Sequence, residues 1–271
     1  MSRFGPIFAV ASLAFRESAR NRVLHALLLA LVAACGVSFL FAWAAGGDGT
    51  PRPTKIVGDL TLSAVIFLGT IASIFLGTNL VFQEIERRTV FSVLARPISR
   101  GGFVLGKFLG LAGVMAVALS LMSVVFLVSY GLAGGSVSLH LICALFLIYV
   151  ELLVVIAVAL FFSVAAHPIE GAVFSFVVAI MGHQTSSLKD LGATVLQRAG
   201  EDAGLVATAT DKFLYVLYVV LPNLERFNLR GTAIYGFDLP WAQVGWSLIY
   251  ATVYIAIVLS LATLVFRRKV L

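Results

Sequence analysis

A dense block of charged residues interrupts the apolar sequence between Glu84 and Lys107. It separates two long apolar runs, Leu60–Phe82 and Phe103–Val128. A charged side chain costs about 3 kcal/mol at the centre of a membrane helix, so the block must lie in water while the two runs do not. The chemistry that this pattern predicts is recognition of another protein by a short exposed loop.

The loop has the sequence features of a short docking helix. Thr89 is a suitable N-cap for a helix over Val90–Ala95, and Pro97 ends it because a proline ring cannot continue the hydrogen-bond ladder. Phe91 and Leu94 are three residues apart, so they share a face that can enter a groove on a partner. The charged residues flanking this helix are Glu84, Glu86, Arg88 and Arg96. The alternative is an ordinary solvated loop whose charges only orient the chain in a membrane.

One acidic residue, Glu151, falls near the middle of an apolar run. A carboxylate is costly inside a membrane, so it should face the bundle interior, a cavity or another chain. Two roles stay open for Glu151. It could have a function, as a substrate contact or as a gate, or it could be a packing residue that is protonated or hydrogen-bonded. Glu170 has a simpler explanation, because Pro168 and Glu170 suit the first turn of a helix.

The sequence does not indicate catalytic or nucleotide-binding chemistry. Gly101–Lys107 matches the start of a phosphate-binding loop, but Phe108 stands where serine or threonine should bind magnesium, and the glycines run into an apolar segment. Gly106 and Gly110 fit better as a small-residue contact between two helices. The four histidines and two cysteines are scattered without a metal-ligand cluster, and neither GxSxG nor HExxH occurs.

The composition predicts a polytopic membrane protein. Of the 271 residues, 61% are hydrophobic and 12% are charged, about half the charged fraction of a soluble domain. The net charge of +6 could suggest nucleic acid, but the basic residues sit beside the apolar runs and are better interpreted as orientation charge. The apolar runs predict an all-α protein with six transmembrane helices, approximately Val23–Ala45, Leu60–Phe82, Phe103–Tyr130, Leu139–Ala165, Pro168–Gly182 and Val244–Phe266.

The basic residues predict that both termini are cytoplasmic. With the N-terminus inside, the short outer loops hold only Arg52 and Lys55. The segment 183–243 is too long for its basic residues to carry much weight in the positive-inside rule, which applies to short loops. All three tryptophans then fall at outer ends, as an aromatic belt requires. The basic residues on the inner side are Arg3, Arg16, Arg20, Arg22, Arg87, Arg88, Arg96, Arg100, Lys107, Arg267, Arg268 and Lys269.

Two further helices are predicted outside the six spans. Phe4, Phe8, Ala11 and Phe15 recur at helical spacing before the first span, which indicates an amphipathic interfacial helix; the alternative is a simple extension of the first span. Ala203–Leu221 is moderately apolar, but Asp211 and Lys212 sit at its centre, which disfavours a seventh span. A helix that lies on the outer surface or dips partway into the membrane is expected there.

The charged block resembles the signature of ABC-2 type transporter permeases. The six spans, the basic N-terminus, the segment Leu221–Phe227 and the basic tail are similar to those of the family too, above all to its small single-domain members. The residues that carry the resemblance in the block are Glu84, Glu86, Arg88, Thr89, Leu94, Pro97, Ser99, Arg100, Gly106 and Lys107.

The resemblance implies one transmembrane domain over residues 1–271, with an interfacial helix at 1–22, a coupling loop at 83–102 and an extracytoplasmic segment at 183–243. It implies a homodimer or heterodimer of permeases in the lipid of a bacterial or archaeal cytoplasmic (inner) membrane. Two cytoplasmic ABC ATPase subunits would drive it and would carry the ATP and magnesium, so this chain itself needs no cofactor. In that picture the charged loop holds the coupling helix, and Glu151 is a candidate for the translocation path.

Three functions from different classes are compatible with a polytopic chain. An ATP-driven exporter subunit is favoured by the resemblance. A membrane-embedded enzyme would need converging catalytic groups, which the sequence does not show. The alternative that stays open is a membrane anchor of an ATPase-driven maturation or signalling complex that transports no substrate.

The predicted topology can be tested by labelling single cysteines, placed at Ser2, Thr54, Ser92 and Ser187 in a chain whose native cysteines have been replaced. An impermeant thiol reagent added to intact cells should label the Thr54 and Ser187 sites, because both are predicted to be outside. It should reach the Ser2 and Ser92 sites only after the membrane is permeabilised. Labelling of the Ser92 site in intact cells would contradict the orientation.

Overall fold

The structure is a computed structural model. It describes residues 5–44, 53–86, 99–185, 205–238 and 240–269, with a few isolated positions between 187 and 197. Throughout these ranges the regular structure is helical. The helices are α1 Gly5–Ala19, α2 Arg22–Ala44, α3 Pro53–Glu86, α4 Arg100–Leu132, α5 Leu139–Ala165, α6 Pro168–Gly182, α7 Leu205–Val220, α8 Arg230–Tyr235 and α9 Trp241–Lys269, with a 3₁₀ helix at Leu224–Phe227.

The architecture is that of an all-α polytopic membrane protein, as predicted. Five helices, α2, α3, α4, α5 and α9, are long and apolar enough to cross a membrane. The remaining predicted span, Pro168–Gly182, coincides with α6, which has only 15 residues. At 1.5 Å per residue α6 is about 22 Å long, shorter than the roughly 30 Å hydrocarbon core of a bilayer. The helix predicted within Ala203–Leu221 is present as α7.

The core of the bundle is α5. Inside its most apolar window 72% of the residues are buried, against 22% for α2 and α9, so α5 is surrounded while the other two are peripheral. It packs against α3, α4, α6 and α9. Two glycines of α3 allow the closest approach: a Cβ on Gly77 would lie 2.5 Å from Ala159 Cβ, and one on Gly69 would lie 2.8 Å from the side chain of Leu152.

The two ends of the bundle differ in composition. At the basic end, which carries Arg16, Arg20, Arg22, Arg100, Arg267 and Arg268, the Arg100 guanidinium donates to the Arg267 carbonyl at 2.8 Å and the rings of Phe103 and Phe266 stack 5.5 Å apart. The opposite end carries Trp43, Trp241 and Trp246 and is called the tryptophan end. All three of its indoles are exposed, which is typical of a belt at a membrane surface.

The N-terminal helix packs against α4 at the small-residue contact that the sequence predicted. A Cβ on Gly106 would lie 2.9 Å from Val10 Cβ, and one on Gly110 would lie 2.5 Å from the Ala11 carbonyl oxygen. The face of α1 buried in this contact includes Val10 and Ala14. The predicted apolar face is thus shared between two surroundings: Phe8 is exposed, as a side chain facing lipid would be, whereas Ala11 and Phe15 pack toward α4; Phe4 lies outside the described residues.

Lys107, which was interpreted as orientation charge on the inner side, is fully buried. Its ammonium lies 5.8 Å from the centre of the Phe103 ring. Lys107 follows Gly106, where α1 covers α4, so the side chain points into the bundle rather than toward solvent.

Substitution of Gly110 should test the seating of α1. Gly110→Ala adds a methyl group that would lie 2.5 Å from the Ala11 carbonyl oxygen and 2.6 Å from Ala14 Cβ, so α1 must move. Overpacking of this kind costs about 1–3 kcal/mol, and the midpoint of thermal unfolding in detergent should fall by several degrees. Gly36→Ala in α2 is the matched control, because no atom lies within 4 Å of its added carbon. Equal midpoints for the two variants would contradict the tight α1–α4 contact.

Candidate functional site

The predicted coupling residues fall mostly outside the described part of the chain. The backbone of Glu84 and Glu86 forms the last turn of α3, while Arg88, Thr89, Phe91, Leu94, Arg96 and Pro97 lie in the range 87–98, which the structure does not describe. The far end of the loop is seen at Ser99, whose hydroxyl accepts from the backbone N–H of Gly102 at 3.1 Å and caps α4. The loop therefore joins two helices that pack against each other in the bundle.

The intramembrane carboxylate of Glu151 has a partner that the sequence analysis did not identify. Its side chain is 1% exposed, and its Oε1 lies 2.9 Å from Nε2 of His183, the residue that ends α6. The imidazole is 31% exposed, so the pair runs from the bundle interior toward the surface. Among the described residues no group makes a hydrogen bond of good geometry to Oε1, so its contact with His183 Nε2 is an ion-pair contact at 2.9 Å.

Both nitrogens of the His183 ring face oxygen acceptors. Nδ1 lies 2.9 Å from the carbonyl oxygen of Ala179, one turn back in α6. A carbonyl cannot donate, so Nδ1 must carry a hydrogen to make that bond. A second proton is then required between Nε2 and Oε1, either on the ring or on the carboxyl group. A pair that holds one such bridging proton carries no net charge.

The α5–α6 hairpin brings the two residues together because they lie at nearly equal distances from its turn. A Cβ on Gly171 would lie 3.2 Å from the Phe162 carbonyl oxygen, so the arms are in close contact near the turn. Glu151 is fourteen residues before the end of α5, and His183 directly follows the 15-residue α6. Both therefore lie about 21–23 Å from the turn. The turn itself is fixed by Glu170, whose carboxylate accepts from the His167 N–H at 3.4 Å, in agreement with its predicted structural role.

Residues Leu221–Phe227, here called the strap, cover the end of α6. A Cβ on Gly182 would lie 2.6 Å from the Pro222 carbonyl oxygen and 3.0 Å from Leu224, so only glycine permits this contact. Leu224 and Phe227 are fully buried, and the 3₁₀ helix that holds them packs against α5, α6 and α9. The strap thus rests on both arms of the hairpin, next to His183.

Several hydrogen bonds fasten the strap and the residue before it to α9. The Tyr254 hydroxyl donates to the Val220 carbonyl at 3.3 Å, and the Tyr250 hydroxyl accepts from the Asn223 N–H at 2.8 Å. Ser247 donates to the Arg226 carbonyl at 3.2 Å. Successive partners on α9 are about one turn apart, so these hydrogen bonds form a ladder. Along this ladder the strap runs beside α9 from the middle of that helix toward the tryptophan end.

This ladder also fixes the position of α7. Val220, its last residue, lies beside Tyr254, which is eight residues and about 12 Å further along α9 than Trp246. Among the alternatives that the sequence left open, this depth favours a helix that dips into the membrane. Asp211 and Lys212 are about 12–14 Å from Val220 along α7, which allows both charges to stay near the membrane surface.

A polar cluster holds the chain after the strap at the tryptophan end. Arg230, the first residue of α8, places its Nε 3.0 Å from the Asp59 carboxylate and donates to the Ser63 hydroxyl at 2.5 Å. Lys55 lies over the ring of Tyr235, 4.9 Å from its centre. Through these contacts α8 is fixed to the first three turns of α3.

Comparison with known proteins agrees with this architecture. The family model described as "ABC-2 family transporter protein" matches residues 18–184. A probable ABC transporter permease protein NosY from Pseudomonas aeruginosa is 32% identical over 113 residues, which cover 41% of this chain and 41% of that protein. A protein of the same name from Stutzerimonas stutzeri is 30% identical over 135 residues, 49% of this chain and 46% of that protein.

The matched segments cover less than half the length of both curated relatives, so those proteins' roles are not transferred to the whole chain. The family match is more extensive. It includes more than half of the chain: five of the six predicted spans, the charged loop and both members of the Glu151–His183 pair. The chain therefore belongs to the ABC-2 family of transporter membrane proteins.

Proposed function

We propose that this chain is the membrane permease subunit of an ATP-binding-cassette exporter, driven by a separate cytoplasmic ATPase that binds ATP and magnesium. The observation that carries the proposal is the family match over residues 18–184, because it includes the charged loop together with the helices on either side. We further propose that the chain works as a dimer of permeases in the cytoplasmic membrane, with both termini and the basic end of the bundle inside.

The loop between α3 and α4 is the best candidate for the coupling element. Nucleotide-driven motion can reach the membrane helices only through an element that is joined to them on both sides. This loop satisfies that condition, because it leaves α3 at Glu86 and enters α4 at the capped Ser99. Apolar anchors dominate most interfaces, whereas charges at the rim contribute less. Phe91 and Leu94 are therefore the proposed anchors, with Glu84, Glu86, Arg88 and Arg96 around them.

Removal of these anchors should uncouple the ATPase. Phe91→Ala or Leu94→Ala should each weaken ATPase association by about 2 kcal/mol or more, roughly thirtyfold in the dissociation constant, because a buried anchor is lost. Arg88→Ala is the matched control and should have a smaller effect. The measurements are co-purification of the ATPase and ATP hydrolysis by the complex in proteoliposomes.

Two outcomes would count against the proposal. Wild-type ATPase yield and hydrolysis in the Phe91→Ala/Leu94→Ala double variant would remove the loop from the coupling mechanism. Intact ATPase association and hydrolysis without movement of any substrate would instead favour the alternative function, an anchor of an ATPase-driven complex.

Glu151 is the proposed polar residue of the translocation path or its gate. Glu151→Gln keeps the size of the side chain and removes the ionisable group, so the protein should assemble normally. We expect hydrolysis by the reconstituted complex to change severalfold, since a gate that depends on this carboxyl group would no longer operate. Glu170→Gln is the control, because Glu170 only caps α6. If the Glu151→Gln variant shows unchanged ATP hydrolysis and transport at unchanged abundance, Glu151 has only a packing role.

A further inference from the structure

We propose that Glu151 and His183 form a proton-binding site, in which one proton held between Oε1 and Nε2 keeps the strap closed over the end of the α5–α6 hairpin. This inference goes beyond the proposed transport function and does not depend on it, because the site and its effect on the strap are properties of this chain alone.

The geometry requires the proton. Nε2 and Oε1 are 2.9 Å apart, and Nδ1 is already committed to the Ala179 carbonyl. Without the bridging proton a nitrogen lone pair would face a carboxylate oxygen in an apolar interior, and the two atoms would repel each other. With the proton bound, the contact becomes attractive, as an ion pair between imidazolium and carboxylate or as its neutral equivalent. Closure of the pair and binding of the proton are therefore the same event.

Few other charged groups act on the pair. Glu225 of the strap interacts electrostatically with His183 and favours its protonated form. α3 has no ionisable side chain between Asp59 and Glu84. α9 contributes only the phenols of Tyr250 and Tyr254 before Arg267, and the one charged group within α6, Glu170, lies at its opposite end.

The other ionisable groups on α5 and on the elements packed against it are distributed over four elements. They are Arg100, Lys107 and Tyr130 of α4, Arg230 and Tyr235 of α8, Arg226 of the strap, and His140, Cys143 and Tyr149 of α5 itself. Arg230 is paired with Asp59, and Lys107 is near the basic end. The balance at the pair is therefore set mainly by its own two groups and Glu225.

Loss of the proton should release the strap. His183 ties the last turn of α6 to α5, and the preceding residue, Gly182, is the surface on which Pro222 and Leu224 rest. If Nε2 and Oε1 separate, this surface moves away from α5 and the strap loses one of its two supports. The exposed edge of the imidazole gives the proton a route to solvent that the buried carboxyl group lacks.

The test is amide hydrogen exchange of peptides covering 221–229, measured on the full chain in lipid nanodiscs from about pH 6 to about pH 9 and corrected for the intrinsic pH dependence of exchange. Free histidine and glutamate have pKa values of about 6.5 and 4.3, so above about pH 6.5 opening releases one proton. Protection of the strap should then fall about tenfold per pH unit in the wild-type chain, since the closed state binds one proton more than the open state.

Two isosteric variants remove the bridging proton without removing the contact. In Glu151→Gln the amide can donate to Nε2 of a neutral ring, and in His183→Gln the amide can donate to the carboxylate. Strap protection should be independent of pH in both variants, whereas His140→Gln should retain the wild-type dependence. If one isostere folds poorly, the other still decides the result.

A flat pH profile in the wild-type chain, or the wild-type slope in either isostere, would overturn the proposal. Because no ATPase is present, failure here would leave the proposed permease function untouched. Failure of the ATPase coupling experiments would equally leave this result standing.

Discussion

The need to compensate a carboxyl group in the most buried helix shapes this structure. α5 is enclosed by four other helices, and Glu151 lies in its middle with almost no exposure. An unpaired charge there would be very costly, so a partner has to reach the same depth. His183 does so because α6 is short: a helix that crossed the full membrane would carry its last residue well past Glu151. The length of α6 and the position of the carboxyl group are thus two parts of one arrangement.

A short α6 creates a second requirement, which the strap meets. α6 ends about 8 Å short of the thickness of a hydrocarbon core, so the chain beyond it contains non-helical backbone at membrane depth. Such backbone is tolerated only when protein surrounds it and satisfies its polar groups. Tyr254, Tyr250 and Ser247 of α9 supply these hydrogen bonds in sequence along the strap. This explains why an otherwise peripheral, apolar helix carries a ladder of hydroxyl groups on the side that faces the strap.

The sequence predicted the helices well and the contacts between distant residues poorly. The bounds of α5 and α6 coincide with the predicted spans, because Ser138 and Pro168 mark clear helix starts and the apolar runs end sharply. The small-residue contact at Gly106 and Gly110 was also predictable from spacing alone. The partner of Glu151 was not found, because a single histidine after an apolar run carries no periodic signal. One feature of the sequence could have indicated this partner: Glu151 and His183 are separated from the turn between the two apolar runs by nearly equal numbers of residues.

Other differences between prediction and structure arise because hydropathy measures the preference of a helix for lipid or water. It takes no account of the neighbouring helices. Lys107 was assigned to the inner aqueous side, yet it is buried near the place where α1 covers α4. The apolar face of α1 was assigned to the membrane, yet part of it packs on α4, because glycines there allow the two backbones to come close. A pattern of apolar residues shows that a face is buried, but it does not distinguish burial in lipid from burial in protein.

The two ends of the bundle are mechanically connected through α3. With 34 residues α3 is about 51 Å long, more than the thickness of a hydrocarbon core. Its last turn, which carries Glu84 and Glu86, leads directly into the charged loop. Its opposite end holds α8 through Asp59 and Arg230, and α8 is joined to the strap by only two residues. Between these ends, Gly69 and Gly77 press α3 against α5 so closely that the two helices cannot slide without separating. α3 therefore connects the end of the bundle where the charged loop begins with the end where α8 leads into the segment that covers Glu151 and His183.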